Sequence, residues 1–198
     1  RGENLHSAEL LVGHLVEHGH QRIGIVNGPL TLSTAVDRLT GYRRALAAAG
    51  LAVDARLERA GRFSVESGRA MTAELLARKT KPTALFATNN LLALGALLAA
   101  RERGLSVPDD LALVTFEDIP HVAAVWPFIS VAAQAATSMG QQAGRFVLER
   151  IAQQKPQPKV RAKANITLPG RELVLPTELR LRRSCGCPSV ADGLGVYG

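Results

Sequence analysis

Aromatic residues make up only 4% of this 198-residue chain, cysteine occurs twice and tryptophan once. Scarce aromatics beside abundant alanine and leucine argue against an all-β sandwich and favour helices packed on a modest sheet. The longest apolar run, LLALGALLAA from Leu91 to Ala100, is about half of what a bilayer crossing needs, so no membrane-spanning segment is expected. Neither GxGxxG nor GxxxxGK[ST] occurs, which leaves a nucleotide cradle without support, and no cofactor is expected. The two cysteines, Cys185 and Cys187, stand in a CGC near the C-terminus and suggest neither a disulfide framework nor a four-ligand zinc site. Two ligands so close together lack obvious partners, and the expectation is ordinary reduced thiols. No secretory leader is visible, but the chain starts at Arg1 without a methionine and reads as a fragment, so localisation rests on other grounds.

What is present is a 46% apolar chain with a net charge of +7, enough to bury a substantial core as one large domain or two small ones. The excess charge is local. Nine basic residues lie between Arg150 and Arg183 (Arg150, Lys155, Lys159, Arg161, Lys163, Arg171, Arg180, Arg182 and Arg183) against two acids, Glu172 and Glu178, and the remainder carries fifteen of each sign. Such a segment could approach DNA phosphates or an acidic partner. The plainer reading is a solubilising surface around the linker QQKPQPK.

Leu5, Ala8, Leu11, Val12, Leu15 and Val16 recur at helical spacing, with Gly19 as a stop. RIGIV from Arg22 reads as a strand, and Ser33 or Thr34 as the cap of a helix that runs to Gly50. Leu57 to Ala60 is the next strand, and Ser64 caps a helix reaching about Arg78. ALFAT from Ala84 leads into Asn89 and a helix through Arg103; Gly104 precedes the strand at Leu111. Helices alternating with short, continuously apolar strands predict a doubly wound α/β unit with a parallel sheet covered on both faces. From Gln134 the pattern changes to a long helix, Thr137 to Gln153, then a Pro/Lys linker and short extended segments around Ile166, Leu173 and Leu179.

Ligands of such sheets bind where strands end at their carboxyl edges. Thr34 and Arg38 follow the first strand, Phe63 the second, Asn89 the third, and Glu117 with Asp118 the fourth. Two adjacent acids could be a catalytic pair, a metal site, a hydrogen-bonding station or a solvated turn, but neighbours on an extended strand point to opposite faces, so at most one faces the crevice. One carboxylate, an arginine, an asparagine and an aromatic face form a set suited to a polyol. The competing reading makes Asn89 and Asp118 helix caps and Phe63 a core residue. His14 and His18 have an i, i+4 spacing open to a metal but lack the glutamate pattern of a zincin, and read as surface or capping histidines.

Five stretches then carry a resemblance: HLVEHGHQRIGIVNGP, DRLTGYRRALAAAG, FSVESG, PTALFATNNLLALGALLAARERGLSVPDDLALVTFED and LPTELRLRRSCGC, which cover nearly all of residues 5 to 187. They resemble the effector-binding domain of LacI/GalR-type bacterial transcriptional regulators, itself similar to periplasmic sugar-binding proteins. The resemblance implies a cleft lined by Arg38, Phe63, Asn89, Glu117 and Gln134 with Thr34 nearby, no catalysis, and a sugar-like effector. Family members usually have aspartate where Glu117 stands, which implies a shifted or smaller ligand. Leu32 stands where purine-sensing members have arginine, which disfavours a nucleobase.

The resemblance further implies that residues 1–133 form the C-terminal effector subdomain, 134–175 a crossover into the N-terminal subdomain, 176–187 a return strand and 188–198 a flexible tail. The helix-turn-helix would lie upstream of Arg1, so operator DNA would be read by that part and not by these residues. A homodimer is implied through Leu94, Leu98, Val125 and Trp126, in the cytoplasm. The alternative is a periplasmic sugar-binding protein of a transport system, and an enzyme is the least supported reading.

Overall fold

The computed structural model describes residues 1–119, 128–153 and 171–187. Six strands form one sheet in the order β2-β1-β3-β4-β5-β6, where β1 is Ile23–Asn27, β2 Glu58–Ala60, β3 Ala84–Ala87, β4 Ala112–Phe116, β5 Ser130–Gln134 and β6 Thr177–Arg180. The first five are parallel, and β6 returns antiparallel to β5. The chain visits the β2 edge and then crosses back over β1 to β3. Strand order therefore reverses beside β1, and the loops after β1 and β3 diverge to opposite faces and leave a crevice between them.

The continuous apolar strands follow from coverage of both faces. Ile23, Ile25, Ala84, Phe86, Ala112, Val114 and Phe116 point to one face and meet α1 (Leu5–Glu17) and α2 (Ser33–Ala48). The alternate residues Val26, Leu85, Ala87 and Leu113 meet α3 (Val65–Leu76) and α4 (Asn90–Glu102) on the other. Every residue of β1, β3 and β4 is buried, which is why no polar alternation marks them.

Each helix pair needs backbone contact. A Cβ on Gly95 would stand 2.2 Å from the Val65 carbonyl oxygen, one on Gly68 2.5 Å from that of Leu92, and one on Gly41 2.3 Å from that of Leu5. Ser64 caps α3 by accepting from the Ser67 N–H at 3.1 Å, as expected, although α3 ends at Leu76. The expected cap of α2 is not found. That helix already begins at Ser33, the residue before it is Leu32, and no side chain accepts from its first turn.

The long helix is α5, Ala136–Gln153. Met139, Ala143 and Phe146 turn towards Leu173 and Leu175, and the Arg171 guanidinium lies 5.5 Å from the Phe146 ring centroid. Val147, Leu148 and Ile151 are 58%, 69% and 62% exposed. Leu179 lies on β6, and Leu175 pairs with Gly2 in a parallel bridge; Ile166 lies outside the described residues. The basic stretch is partly neutralised where it is described: Arg171 pairs with Glu149, Arg180 with Glu178, and Arg182 with Asp118. Local pairing of this kind supports the solubilising reading over a phosphate-binding face.

The glycine contacts make a direct prediction. Gly95→Ala should lower unfolding stability by about 1–3 kcal/mol through overpacking of α3 against α4. Urea denaturation of the variant checks it, and an unchanged midpoint would contradict the close helix approach.

Candidate functional site

The carboxyl ends of β1, β3, β4 and β5 bring the candidate residues to one edge, and the network beneath them begins with Asn27. Its Oδ1 accepts from the Gly28 N–H and the Thr88 hydroxyl, both at 2.8 Å, while its Nδ2 donates to the Ala35 carbonyl at 2.9 Å. One buried amide thus ties the ends of β1 and β3 to the first turn of α2. Phe63 lies across this point. A Cβ on Gly28 would fall within 2.6 Å of three Phe63 ring carbons, so the ring rests on the glycine backbone, half-buried and packed against the edge of the core beneath α3 and α4. Thr34, in the first turn of α2, is also half-buried.

Arg38 is the one buried member of the set, 6% exposed. Its Nε donates to Asn4 Oδ1 at 2.9 Å, its Nη1 donates to the Thr88 carbonyl, and its guanidinium carbon lies 3.9 Å from the Phe116 ring centroid. Burial lowers its pKa to about 10, opposed by the charges of Glu117 and Asp37, and it remains cationic at neutral pH. Nη2 makes no hydrogen bond among the described residues. Since Thr72 Oγ1 is the sole buried side-chain polar atom without a partner among them, Nη2 must reach solvent.

Glu117 follows β4 with φ +64°, the one non-glycine residue among those described with positive φ. A bulky residue is held there at a cost of about 1–3 kcal/mol and only by its surroundings. Here the Glu117 N–H donates to the Ala132 carbonyl at 3.2 Å, and Glu117 Oε1 accepts from the Gln134 N–H at 3.1 Å. Burial raises the Glu117 carboxyl above its ordinary pKa, opposed by the Gln134 hydrogen bond and by Arg38. The left-handed turn, not strand alternation, separates the two acids. Asp118 turns away and forms a two-pronged pair with Arg182; residues 120–127, where a helix capped by it would run, lie outside the described residues.

Asn89 is a helix cap, as one of the two readings had it. Its Oδ1 caps α4 by accepting from the Leu91 and Leu92 N–H groups at 2.9 and 3.1 Å, and its Nδ2 donates to Asn90 Oδ1 at the half-buried edge. Gln134 ends β5 with its side-chain carbonyl packed against Gly2. The set is therefore a cation and an anion that make no ion pair with each other, joined by two amides, a ring face and a hydroxyl. A neutral ligand with several hydroxyls satisfies such an array by accepting from Arg38 and donating to Glu117.

Two supporting residues escaped the sequence reading. Asn27 had a signal, a polar residue closing the apolar run RIGIV. Asn4 had a misleading one: it stands where a cap of α1 would, yet its side chain makes no cap and instead orients Arg38. On the far face of α4, Leu91 and Leu98 are 43% and 38% exposed and Leu94 is half-buried between them. Leu92 and Ala99 of the same helix are buried. Val125 and Trp126 lie outside the described residues.

The family described as a periplasmic binding protein-like domain matches residues 12–185. The chain belongs to that family. Within it the chain is of the LacI regulator type. It is 37% identical over 142 residues to the HTH-type transcriptional repressor PurR of Haemophilus influenzae (strain PittEE), which covers 72% of this chain and 42% of that protein. To PurR of Escherichia coli O1:K1 / APEC it is 33% identical over 146 residues, covering 74% and 43%. The solved transcriptional regulator CelR–cellobiose complex superposes with a TM-score of 0.79 at 33% identity, over 92% of this chain and 52% of that one. A LacI-family regulatory protein from Chloroflexus aggregans gives 0.77 at 30% identity, over 92% and 61%. This periplasmic-binding-protein-like chain thus spans about half the length of its relatives.

A pH dependence follows from the buried carboxyl. Its folded pKa lies above the unfolded value, so ionisation opposes folding, and this cost sets in as pH rises from the unfolded to the folded pKa. Glu117→Gln removes it. The stability of the variant relative to wild type should therefore increase with pH across that window, measured by urea midpoints on either side; a difference independent of pH would contradict the burial.

Proposed function

We propose that the chain is the effector-binding and dimerisation part of a LacI-family transcriptional regulator, a binding module and not an enzyme, and that it senses a sugar or sugar acid. The observation that carries the reading is the placement of Arg38 and Glu117 at one open edge, each held by protein partners yet not paired with each other. Thr34, Phe63, Asn89 and Gln134 complete the cleft. Cellobiose in the name of the CelR complex supports a sugar, and Leu32 offers no charged group to a nucleobase. The regulator relatives favour this over a transport protein.

In this reading residues 1–133 are the C-terminal subdomain, and 134–175 cross into an N-terminal subdomain that closes over the cleft and covers Val147, Leu148 and Ile151. Residues 176–187 return, and 188–198, read as a tail, lie outside the described residues. Residues 1–3 run beside 173–175, and Gln134 lies against Gly2 and opposite Thr177, so the crossing points are bundled next to the cleft. Closure there would reach a DNA-reading part outside these residues, which would act on operator DNA in the cytoplasm.

Titration calorimetry against sugars, sugar acids and purines tests the cleft. Arg38→Ala and Glu117→Ala should each weaken effector binding by about 1.5–3 kcal/mol, because each removes a charge-assisted hydrogen bond. Glu117→Gln, which keeps an acceptor for the Gln134 N–H, should lose affinity while staying folded. Unchanged affinity in all three would refute the assignment.

The homodimer would form on Leu94 and Leu98 of α4 together with Val125 and Trp126, because the α4 stripe is left uncovered by α3 and the sheet. Sedimentation equilibrium of wild type and of Leu94→Arg, Trp126→Ala should show a dimer and a monomer respectively. A wild type that stays monomeric at tens of micromolar would sink the dimer.

A further inference from the structure

Far from the cleft, at the outer side of α1, the fold joins four sulfur and nitrogen donors from opposite ends of the chain. His14 and His18 lie one helical turn apart with ring centroids 4.2 Å apart. After β6 the chain makes a short 3-10 turn, Arg183–Cys185, and reverses at Gly186 with φ +89°, which sets Cys185 and Cys187 side by side with their sulfurs 3.2 Å apart. His14 Nε2 lies 3.2 Å from both sulfurs, and His18 Nε2 lies 3.4 Å from Cys187 Sγ. The donor atoms of His14, His18 and Cys187 all fall within 4.8 Å of one another. The thiols therefore do have partners, which the spacing of two cysteines alone could not reveal.

From this we infer that the chain carries a zinc-type metal site of Cys2His2 character, with His14, His18 and Cys187 as its core and Cys185 as the fourth donor. Three features favour an ion over a chance cluster. Donors at zinc–sulfur and zinc–nitrogen distances of about 2.3 and 2.0–2.1 Å stand roughly 3.4–3.8 Å apart around a tetrahedral ion, close to the 3.2 Å between His14 Nε2 and each sulfur and the 3.4 Å between His18 Nε2 and Cys187 Sγ, while Cys185, outside the three-donor group, would have to move towards His18 to complete the set. His18 Nδ1 lies 2.9 Å from the His14 carbonyl oxygen and must carry its hydrogen, so the lone pair of His18 is on Nε2, facing Cys187. A ligating histidine is commonly oriented in this way. Finally, the turn is anchored independently of any ion. Ser184 Oγ donates to the Leu113 carbonyl at 2.6 Å and accepts from the Ser130 N–H at 2.8 Å, and the Ser130 hydroxyl donates to Cys185 Sγ at 3.1 Å.

Burial grades across the site. Cys185 is fully buried and His14 nearly so, whereas Cys187 is half-buried and His18 exposed, which gives a hydrated ion an approach from the His18 side. Nitrogen and thiolate donors in a tetrahedral arrangement select zinc over magnesium or calcium, and each thiol gives up its proton to solvent as the ion binds. Bound there, the ion would clamp α1 to the terminal turn, closing a loop that contains nearly the whole chain.

The test uses the purified protein without a polyhistidine tag, kept reduced, with cobalt(II) and then zinc as probes. One cobalt per chain should bind with a thiolate-to-cobalt charge-transfer band in the near ultraviolet and the visible bands of a tetrahedral ion, and zinc should bleach both. Cys187→Ser, at the half-buried donor beside the core, and His18→Ala, at the exposed one, should each weaken zinc by about tenfold or more, since loss of even an outer partner of a ligand costs that much. A missing charge-transfer band, unchanged zinc affinity in both variants, or a Cys185–Cys187 disulfide that persists under reductant would each overturn the site. Effector titrations do not enter these readouts, so the result stands apart from the proposed cleft.

Discussion

Burial of a short-stranded parallel sheet on both faces is the constraint from which the rest of this structure follows. Strands of four or five residues offer little area, so each face must be covered by two helices lying close together, and the pairs approach to backbone contact at Gly41, Gly68 and Gly95. Polar groups cannot sit along such strands. They collect where the strands end, and Asn27, Thr88, Thr115 and Arg38 are buried only because each finds a partner there.

The cleft edge is in turn a consequence of that crowding. Arg38 is oriented by a carbonyl, an amide and a ring, and Glu117 is held in a left-handed conformation by two backbone bonds from β5. Both are placed before any ligand arrives, which lowers the ordering cost of binding. Both charges are partly desolvated and make no direct pair with each other.

The two ends of the chain have opposite characters. The turn after β6 is locked to the sheet through Ser184 and Ser130 and reaches the histidines of α1, whereas α5 leaves Val147, Leu148 and Ile151 to solvent. The apolar stripe of α5 has little beneath it, and residues 1–3 pair with 173–175 beside Gln134.

Alternating apolar strands and amphipathic helices were legible in the residues because period and length are local properties: RIGIV, ALFAT and LALVTF could be little else than buried strands, and Ser64 and Asn89 sit where caps belong. Five motifs sufficed for the family, and strand-end position alone put Arg38, Phe63, Asn89 and Glu117 at one edge, with Gln134 added by the resemblance. Local signals failed where a residue answers to distant neighbours. Asn4 mimics a cap but serves Arg38, Leu32 takes the cap position from Ser33, and the divergence of Glu117 and Asp118 comes from a strained turn instead of strand alternation. Above all, His14 with His18 and Cys185 with Cys187 are two weak signals about 170 residues apart in the chain, and a donor set exists only once the antiparallel return of β6 carries one pair onto the helix of the other. Sequence by itself determines what each segment buries; which side chains meet across the sheet is decided by the closure of the whole chain, because contact between remote residues depends on every packing step between them.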